Sequence, residues 1–332
     1  MKAKTWLAMT TACALGSAAP ALANDSEAAV GVGGLTLVES KTVSLDYEYL
    51  YISADEVRIT YRFTNHGKKD VDTLIAFPLP VMDPETAQNT GNYNWDTLDF
   101  STTVDGKPIQ LNVVDVALID GRNVTALLKK YGWKPSLGYS LEDISMFERL
   151  PQKELDAAVK DGLLARDGKM VRPLWRTQRN ITRKQKFPAG KTVVVTHRYI
   201  PAAGGSVAGG LDSQWREGKD GTRASYKREH CVDDAFLASF DRKLAARKKA
   251  APYSLGYVET WVDYILSSGS NWKGPIKDFR LVVDKGDADR LVSFCMDGVK
   301  KISPTQFEVR KKNFEPKRDL SILIISWPEP EQ

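Results

Sequence analysis

Histidine and cysteine are scarce in this sequence of 332 residues, which contains three of each. The histidines, His66, His197 and His230, lie far apart along the chain. No set of histidines and cysteines has the spacing of a metal site. A metal centre built on several histidines is therefore nearly excluded, and nothing in the sequence points to a cofactor.

The chain also lacks the short motifs that fix a reaction. It has no G-x-S-x-G elbow and no H-E-x-x-H helix, and its glycine clusters lack the lysine of a phosphate loop. Carboxylates are plentiful, with 42 Asp and Glu, so a catalytic pair of the glycosidase kind is not excluded, although no pair can be named.

Long apolar runs and strong charge are missing too. After the N-terminal segment no run approaches the ~18 apolar residues that span a bilayer. The chain has 47 basic and 42 acidic residues, a formal charge of +5 that falls to +3 without Lys2 and Lys4. A charge this small does not imply nucleic acid as a partner.

The N-terminus has the three parts of a secretory signal. Lys2 and Lys4 supply the positive end, and the apolar run Trp6 to Ala19 is too short to span a bilayer. Ala21-Leu22-Ala23 is the A-x-A pattern of a cleavage site, and Asn24 begins a polar segment. We predict removal of residues 1–23 and a periplasmic or secreted mature protein. A permanent anchor is the alternative reading.

Cleavage would remove Cys13 and leave Cys231 and Cys295. In an oxidising compartment two cysteines most simply form one disulfide, here closing a loop of about 64 residues, worth ~4 kcal/mol in the chain-entropy model. Two buried free thiols or a metal site that includes His230 are the alternatives. Adjacent residues on a strand point to opposite faces, so His230 and Cys231 would not converge easily on one ion.

Alternating apolar and polar residues predict strands in both halves of the chain. The clearest runs are Val57 to Thr64, Val71 to Phe77, Lys191 to Ile200 and Leu320 to Trp327. His197 falls on the apolar face of its run, which predicts a packed, hydrogen-bonded histidine. In the run Leu320 to Trp327 both alternating sets are apolar except for the two serines, which predicts a strand buried on both faces.

Two regions have helical periodicity. Val124, Leu127, Leu128 and Tyr131 mark one face of a helix, within a predicted helical insertion at about 121–166. A second, longer helix is predicted at about 233–249, where Pro252 follows. The insertion would cover a sheet edge; a lid is the alternative.

These elements predict a mainly β (α+β) fold. About 309 mature residues exceed what one core usually organises, so we predict two β-sandwich-like domains. Glycines at 204–210 predict the boundary, or a long loop beside it, which gives an N-terminal domain of residues 24–205 and a C-terminal domain of residues 206–332.

Two surfaces are candidates for binding. Trp272 lies between Asn271 and Lys273 in a glycine-proline loop, and could stack on a sugar or on a protein. A tryptophan that plugs the end of a sandwich is the favoured alternative. Basic residues gather at 300–301, 310–312 and 317–318 and could meet an anionic envelope polymer. A lysine-protected strand edge explains them equally well.

The chain resembles the domain-of-unknown-function 4424 family of exported bacterial proteins. The resembling segments are Gly33-Gly34-Leu35, Leu50-Tyr51-Ile52-Ser53, Tyr61-Arg62-Phe63-Thr64-Asn65, Ala76-Phe77-Pro78-Leu79-Pro80, Asn271-Trp272-Lys273-Gly274-Pro275-Ile276, Phe279 to Gly286, and Ser293-Phe294-Cys295 with Asp297-Gly298. The resemblance implies a signal peptide and a periplasmic or secreted setting. It implies no activity, cofactor or catalytic residue.

Three classes of function remain. A non-catalytic binding or assembly protein of the cell envelope fits the β domains and the missing catalytic motifs. Its partner would be an envelope protein or an anionic envelope polymer. A carboxylate-dependent hydrolase acting on envelope glycan or peptide, and a small-molecule carrier with an inter-domain pocket, are the alternatives.

Overall fold

The computed structural model describes residues 24–31, 34–82, 98–136, 141–217, 221–250 and 256–328. The predicted signal peptide, with Ala21 and Ala23, lies outside these ranges. Among the residues described, no helix combines the length and hydrophobicity that a membrane-spanning helix requires.

The chain is mainly β, as predicted. Its strands in order are β1 Ser26–Gly31, β2 Gly34–Val38, β3 Val43–Ile52, β4 Val57–Asn65, β5 Val71–Pro78, β6 Ser101–Val104, β7 Lys107–Pro108, β8 Asn112–Ile119, β9 Arg122–Asn123, β10 Leu164–Asp167, β11 Met170–Pro173, β12 Arg176–Phe187, β13 Thr192–Tyr199, β14 Gly204–Val207, β15 Val258–Tyr264, β16 Ile276–Asp284, β17 Leu291–Phe294, β18 Lys300–Lys301, β19 Gln306–Phe314 and β20 Leu320–Ser326.

Among the described residues the helices are fewer than the strands. In chain order they are α1 Thr125–Lys130, α2 Leu141–Glu148, α3 Gln152–Lys160, α4 Ser213–Arg216, α5 Thr222–His230 and α6 Asp234–Ala250, with a 3-10 helix at Ser267–Asn271. The first three occupy the predicted insertion, and α6 matches the predicted longer helix. The sequence analysis missed α5.

The described strands form three larger sheets and one hairpin. The eight-stranded sheet has the order β18-β19-β16-β3-β4-β13-β6-β7, the six-stranded sheet β2-β1-β5-β12-β8-β9, and the four-stranded sheet β14-β15-β20-β17; β10 pairs with β11. Asp105 and Gly106 both have positive φ angles and form the tight turn between β6 and β7.

One large core joins these sheets. The inner face of the eight-stranded sheet packs against apolar residues of both smaller sheets, such as Phe77 of β5 and Ile322 of β20. Alternate residues of β20, Leu323 and Ile325, pack instead with α6. The strand is therefore buried on both faces, as its sequence predicted, and α6 covers the outer side of the four-stranded sheet.

The boundary predicted near residue 205 does not separate two cores. In the eight-stranded sheet β16 pairs in parallel with β3, and Leu281 lies beside Leu50. Residues from both sides of position 205 also share the large core. The glycines at 204–205 lie in β14, an edge strand of the four-stranded sheet. This stretch is an ordinary sheet edge, because the second half of the chain pairs back onto the first.

Candidate functional site

Strand β3 presents three tyrosines on the outer face of the eight-stranded sheet. Tyr47, Tyr49 and Tyr51 are half-buried, and they alternate with inward-facing residues such as Glu48 and Leu50. A β-bulge between Leu45 and Tyr47 sets this phase. Without the extra residue, the inward set begun by Leu45 would have continued through Tyr47, because side chains alternate with a period of two.

Arginines from the neighbouring strands lie over these rings. The guanidinium carbon is 4.2 Å from the ring centroid in the pair Arg58–Tyr51, 4.7 Å in Arg62–Tyr47 and 4.9 Å in Arg280–Tyr49. All three distances fall within the range of cation–π attraction. Strand register explains the pairs, since Arg58, Arg62 and Arg280 stand opposite Tyr51, Tyr47 and Tyr49.

Two more arginines extend the surface. Arg198 of β13 stands opposite Arg58, and Arg310 of β19 stands opposite Arg280. We call the surface of three tyrosines and five arginines the tyrosine–arginine face. Its members are Tyr47, Tyr49, Tyr51, Arg58, Arg62, Arg198, Arg280 and Arg310. Four of the arginines are exposed, and the tyrosines and Arg280 are partly exposed, so the face is open to solvent.

Two glutamates on the face are each shared between two arginines, which leaves positive charge in excess. Glu56 pairs with both Arg58 and Arg198. Glu308 pairs with Arg280 at 2.8 Å and with Arg310 at 3.0 Å. Hydrogen bonds from Arg310 and Arg280 keep the pKa of Glu308 below its ordinary value, so it is ionised at neutral pH.

Arg62 stands apart from these shared pairs. It makes no ion pair with a described carboxylate and stacks on Tyr47. Each shared carboxylate neutralises one of its two arginines, and Arg62 adds a further positive charge. With Lys312, Asp278 and Asp284 on the same side of the sheet, six basic side chains stand against four carboxylates, so positive charge is in excess.

Hydroxyl groups complete the face. The Tyr51 hydroxyl donates to Oδ2 of Asp284 at 3.2 Å. The hydroxyls of Tyr47 and Tyr49 make no hydrogen bond to other residues in the described ranges, so they are free for a ligand. Threonine hydroxyls on neighbouring strands pair across the sheet, as in Thr103–Thr196 at 2.7 Å. Planar rings, guanidinium groups and hydroxyls together can bind sugar rings that carry negative charge.

The basic residues noted in the sequence divide between two surfaces. Arg310 and Lys312 lie on the outer face of β19, where Lys312 pairs with Asp278 at 2.9 Å. Lys300 and Lys301 form β18, at the edge of the same sheet. Lys311 points the other way and lines a groove with Lys317 and Arg318. Only part of the basic set therefore joins the tyrosine–arginine face.

Trp272, the sequence's candidate for ligand stacking, lies in the large core and is 3% exposed. Its ring centroid is 4.5 Å from that of Phe63, and its Nε1 donates to the carbonyl oxygen of Asp25 at 2.6 Å. Asn271 donates to Ser26, and Lys273 is exposed beside them. The indole is not offered to a ligand at the surface, so the tyrosine–arginine face replaces this loop as the candidate.

Cys231 and Cys295 are joined, with a sulfur–sulfur distance of 2.08 Å. Cys231 follows the last residue of α5 in a left-handed conformation, and Cys295 follows β17. The sulfurs border the groove of Lys311, Lys317 and Arg318. His230 turns away, and its Nδ1 faces the carbonyl of Ser321 at 3.4 Å. No group of His, Cys, Asp and Glu in the described ranges could hold a metal ion.

Carboxylates with raised pKa values lie inside the protein. Burial raises the pKa of Glu259, whose Oε2 accepts from the Tyr226 hydroxyl at 2.5 Å. Asp263 is exposed, and its Oδ1 accepts a hydrogen bond from the Ser321 hydroxyl at 2.5 Å. A hydrolase needs two carboxyl groups that converge on a substrate cleft. These groups are committed to protein hydroxyls, and none of them lines a pocket found among the described residues.

Comparison with known proteins identifies the family. The family described as "Domain of unknown function (DUF4424)" matches residues 23–323. The chain belongs to this family. A search of curated proteins found no match.

One solved structure, from Legionella pneumophila, is described provisionally as a nutrient-binding protein. It is 14% identical, covers 91% of this chain and 70% of its own, and has a TM-score of 0.41. A likeness of this size supports no argument about the function of the present DUF4424 protein.

Proposed function

We propose that this protein is a non-catalytic binding protein of the bacterial cell envelope, exported by cleavage after Ala23. It holds an anionic glycan polymer on the tyrosine–arginine face. The observation that carries the proposal is the surplus of arginine over carboxylate on an open face with stacked tyrosines.

The shape of the face favours an extended ligand. Its residues come from five neighbouring strands, β19, β16, β3, β4 and β13, so they form a continuous surface. The grooves found among the described residues are lined by other side chains. A polymer can contact several of these strands at once, which adds many weak contacts without a deep pocket.

The chemistry of the face favours glycan over a protein partner. Tyrosine and arginine are common at protein interfaces, but the cores of those interfaces are depleted of charged residues, whereas this face has Arg58, Arg62 and Arg280 at its centre. Exposed ion pairs of the Arg58–Glu56 type contribute little to stability. A polyanion can therefore recruit these arginines at small cost to the fold.

The test is affinity electrophoresis of the purified mature protein in gels that contain polygalacturonate or neutral dextran. We expect retardation by polygalacturonate alone, weakening as salt screens the charges. Arg62→Glu and Tyr47→Ala should each weaken the interaction about tenfold, the equivalent of ~1.4 kcal/mol.

Arg242→Glu is the matched control, because it makes the same charge change on α6, away from the face. Its retardation should equal that of the wild-type protein. Equal weakening by Arg242→Glu and Arg62→Glu would reduce the effect to net charge. No retardation by polygalacturonate would reject an acidic glycan as the ligand.

A further inference from the structure

The first residues after the predicted cleavage site are fully buried. Asn24, Asp25 and Ser26 each have 0% exposure. Asp25 forms a bidentate ion pair with Arg183, with Oδ1–Nη1 and Oδ2–Nη2 distances of 2.7 and 2.5 Å. The mature N-terminus is therefore part of the core rather than a loose end.

The side-chain amide and the backbone carbonyl of Asn24 are all hydrogen-bonded. Its Nδ2 donates to Oε1 and Oε2 of Glu48 at 3.2 and 3.1 Å. Its Oδ1 accepts from the Tyr61 hydroxyl, and its carbonyl oxygen accepts from Oγ of Ser268 at 3.0 Å. These bonds fix the residue against Glu48 of β3.

Glu48 lacks a cation. It is 0% exposed, and among the described residues only the neutral amide of Asn24 donates to it. Arg183 is engaged by Asp25, and burial lowers the pKa of His197, which keeps that ring neutral at pH 7. The remaining groups that face the carboxyl, Tyr61 and Tyr264, carry no positive charge. A buried carboxylate without a partner is costly.

We propose that hydrolysis of the Ala23–Asn24 peptide bond supplies the missing cation, because the new α-ammonium group of Asn24 pairs with the Glu48 carboxylate. Four covalent bonds separate the α-nitrogen of Asn24 from its Nδ2, which is roughly 5 Å at most. Since Nδ2 already contacts both Glu48 oxygens, the α-nitrogen lies within roughly 8 Å of them, and cleavage frees this end of the chain to turn toward the carboxylate. The inference rests on the proposed cleavage and not on glycan binding.

The chemical step balances with water alone. A signal peptidase adds water across the amide, Ala23 leaves with a carboxylate, and Asn24 keeps an amine that takes up a proton. Before this step the chain holds a neutral amide at the same position. Processing thus changes the charge of a buried site by one unit without any other covalent change.

The test compares two purified proteins that differ by one residue. One begins at Asn24, and the other begins at Ala23, which moves the ammonium by about 3.8 Å. We expect the form that begins at Asn24 to have a Tm higher by about 4 °C at pH 7.5. Thermal unfolding from pH 5 to pH 8 measures the difference.

The pH dependence has a defined sign. In the chain whose residue 24 is amide-linked, burial and then the charge of Asp25 raise the pKa of Glu48 from 4.5 to about 8. Its native state therefore holds an extra proton between these values, and its stability falls as pH rises through them. The ammonium favours the ionised carboxylate, so this fall should shrink and the Tm gap should grow from pH 5 to pH 8.

Glu48→Gln in both proteins is the control, because glutamine can keep a hydrogen bond to Asn24 without needing a cation. The Tm gap should vanish. A gap that persists would assign the effect to the bulk of the extra alanine, and equal wild-type values would overturn the proposal.

If Glu48→Gln does not fold, the pKa of the Asn24 α-amine, followed by NMR, decides the matter. A value well above the usual 7.7–8.0 supports the ion pair, and an ordinary value refutes it. Glycan retardation of both proteins is read separately, so either proposal can fail alone.

Discussion

Asp25 and Arg183 form an ion pair that water does not reach. Their side chains are 0% and 2% exposed, and His197 approaches the same carboxylate with an Nε2–Oδ2 distance of 3.1 Å. The other ring nitrogen, Nδ1, lies 2.8 Å from the Thr102 hydroxyl. His197 is thus the packed, hydrogen-bonded histidine that its strand position predicted. A buried ion pair of this kind contributes little to the stability of the protein as a whole. Removing one partner is nevertheless costly, because it leaves the other charge buried and unpaired.

We therefore expect Asp25→Asn to lower the free energy of unfolding by about 3–5 kcal/mol. The cause is the uncompensated guanidinium of Arg183 in the core. Urea denaturation measures the loss. The double variant Asp25→Asn/Arg183→Met removes both charges and should recover part of it. A single variant as stable as the wild-type protein would show that the pair is unimportant.

The stability of the protein at low pH should also depend on the Asp25–Arg183 ion pair. Burial alone would raise the pKa of Asp25, but the charge of Arg183 and the hydrogen bonds from Arg183 and His197 outweigh it and leave the pKa below the usual 3.8. Such a group contributes stability above its unfolded pKa and loses it as pH falls toward the folded pKa. The Tm of the wild-type protein should fall below pH 4, and that of Asp25→Asn should fall less steeply. Parallel curves would contradict this assignment.

Trp272 should prove to be a packing residue. Truncation to alanine removes ring contacts with Phe63 and Phe187 and the hydrogen bond to the Asp25 carbonyl. We expect Trp272→Ala to cost about 3–5 kcal/mol of stability. Its exposed neighbour offers a control, since Lys273→Ala should change stability by less than ~0.5 kcal/mol. If Trp272→Ala were as stable as the wild-type protein, this loop would again be a candidate binding surface.

At the level of elements, regular alternation was readable from the sequence and interrupted alternation was not. β13 and β20 follow their predicted spans closely, because their inward residues keep a strict period of two. β3 was missed because its bulge shifts the phase at Asp46 and because tyrosines and leucines alternate beyond it. The candidate site is centred on β3, so it was not predicted from the sequence. Tyrosines at every second position were the available signal.

A helix that is held in place by residues distant in sequence was the second feature that the sequence patterns did not predict. The helix α6 was found because Leu237, Phe240 and Leu244 form a buried stripe at helical spacing. The helix α5 has one buried residue, His230, and so gives no such stripe. Its position is fixed from outside, by the disulfide at Cys231 and by the bond from Ser293 to the His230 carbonyl.

The disulfide should therefore matter to the attachment of α5. It joins residues 64 apart in sequence and connects the end of α5 to the end of β17. We expect Cys231→Ser to lower the free energy of unfolding by about 2–4 kcal/mol. Cys295→Ser should cost the same, and the double variant no more than either alone, because one bond is lost in each. Free thiols in the wild-type protein, with an unchanged Tm in Cys231→Ser, would exclude the bond.

On the scale of the whole molecule, sequence length misled the domain prediction. About 309 residues suggested two cores, yet the eight-stranded sheet takes β3, β4, β6, β7 and β13 from the first half and β16, β18 and β19 from the second. Local patterns specify strands but not which strands pair, since partners such as β3 and β16 are more than 200 residues apart. The return of the chain to β3 also builds the tyrosine–arginine face, because Arg280 comes from β16.

A chain cut at the predicted boundary should therefore not yield two folded halves. Fragment 24–205 would lose β16 and leave the edge of β3 unpaired, and fragment 206–332 would expose the apolar face that β16 and β20 turn to the large core. We expect each fragment alone to lack a cooperative thermal transition, and the intact protein to unfold in a single transition by circular dichroism. Mixing the fragments tests the reason, since complementation restores the β3–β16 pairing. Two separate transitions in the intact protein, matched by folded fragments, would restore the two-domain division.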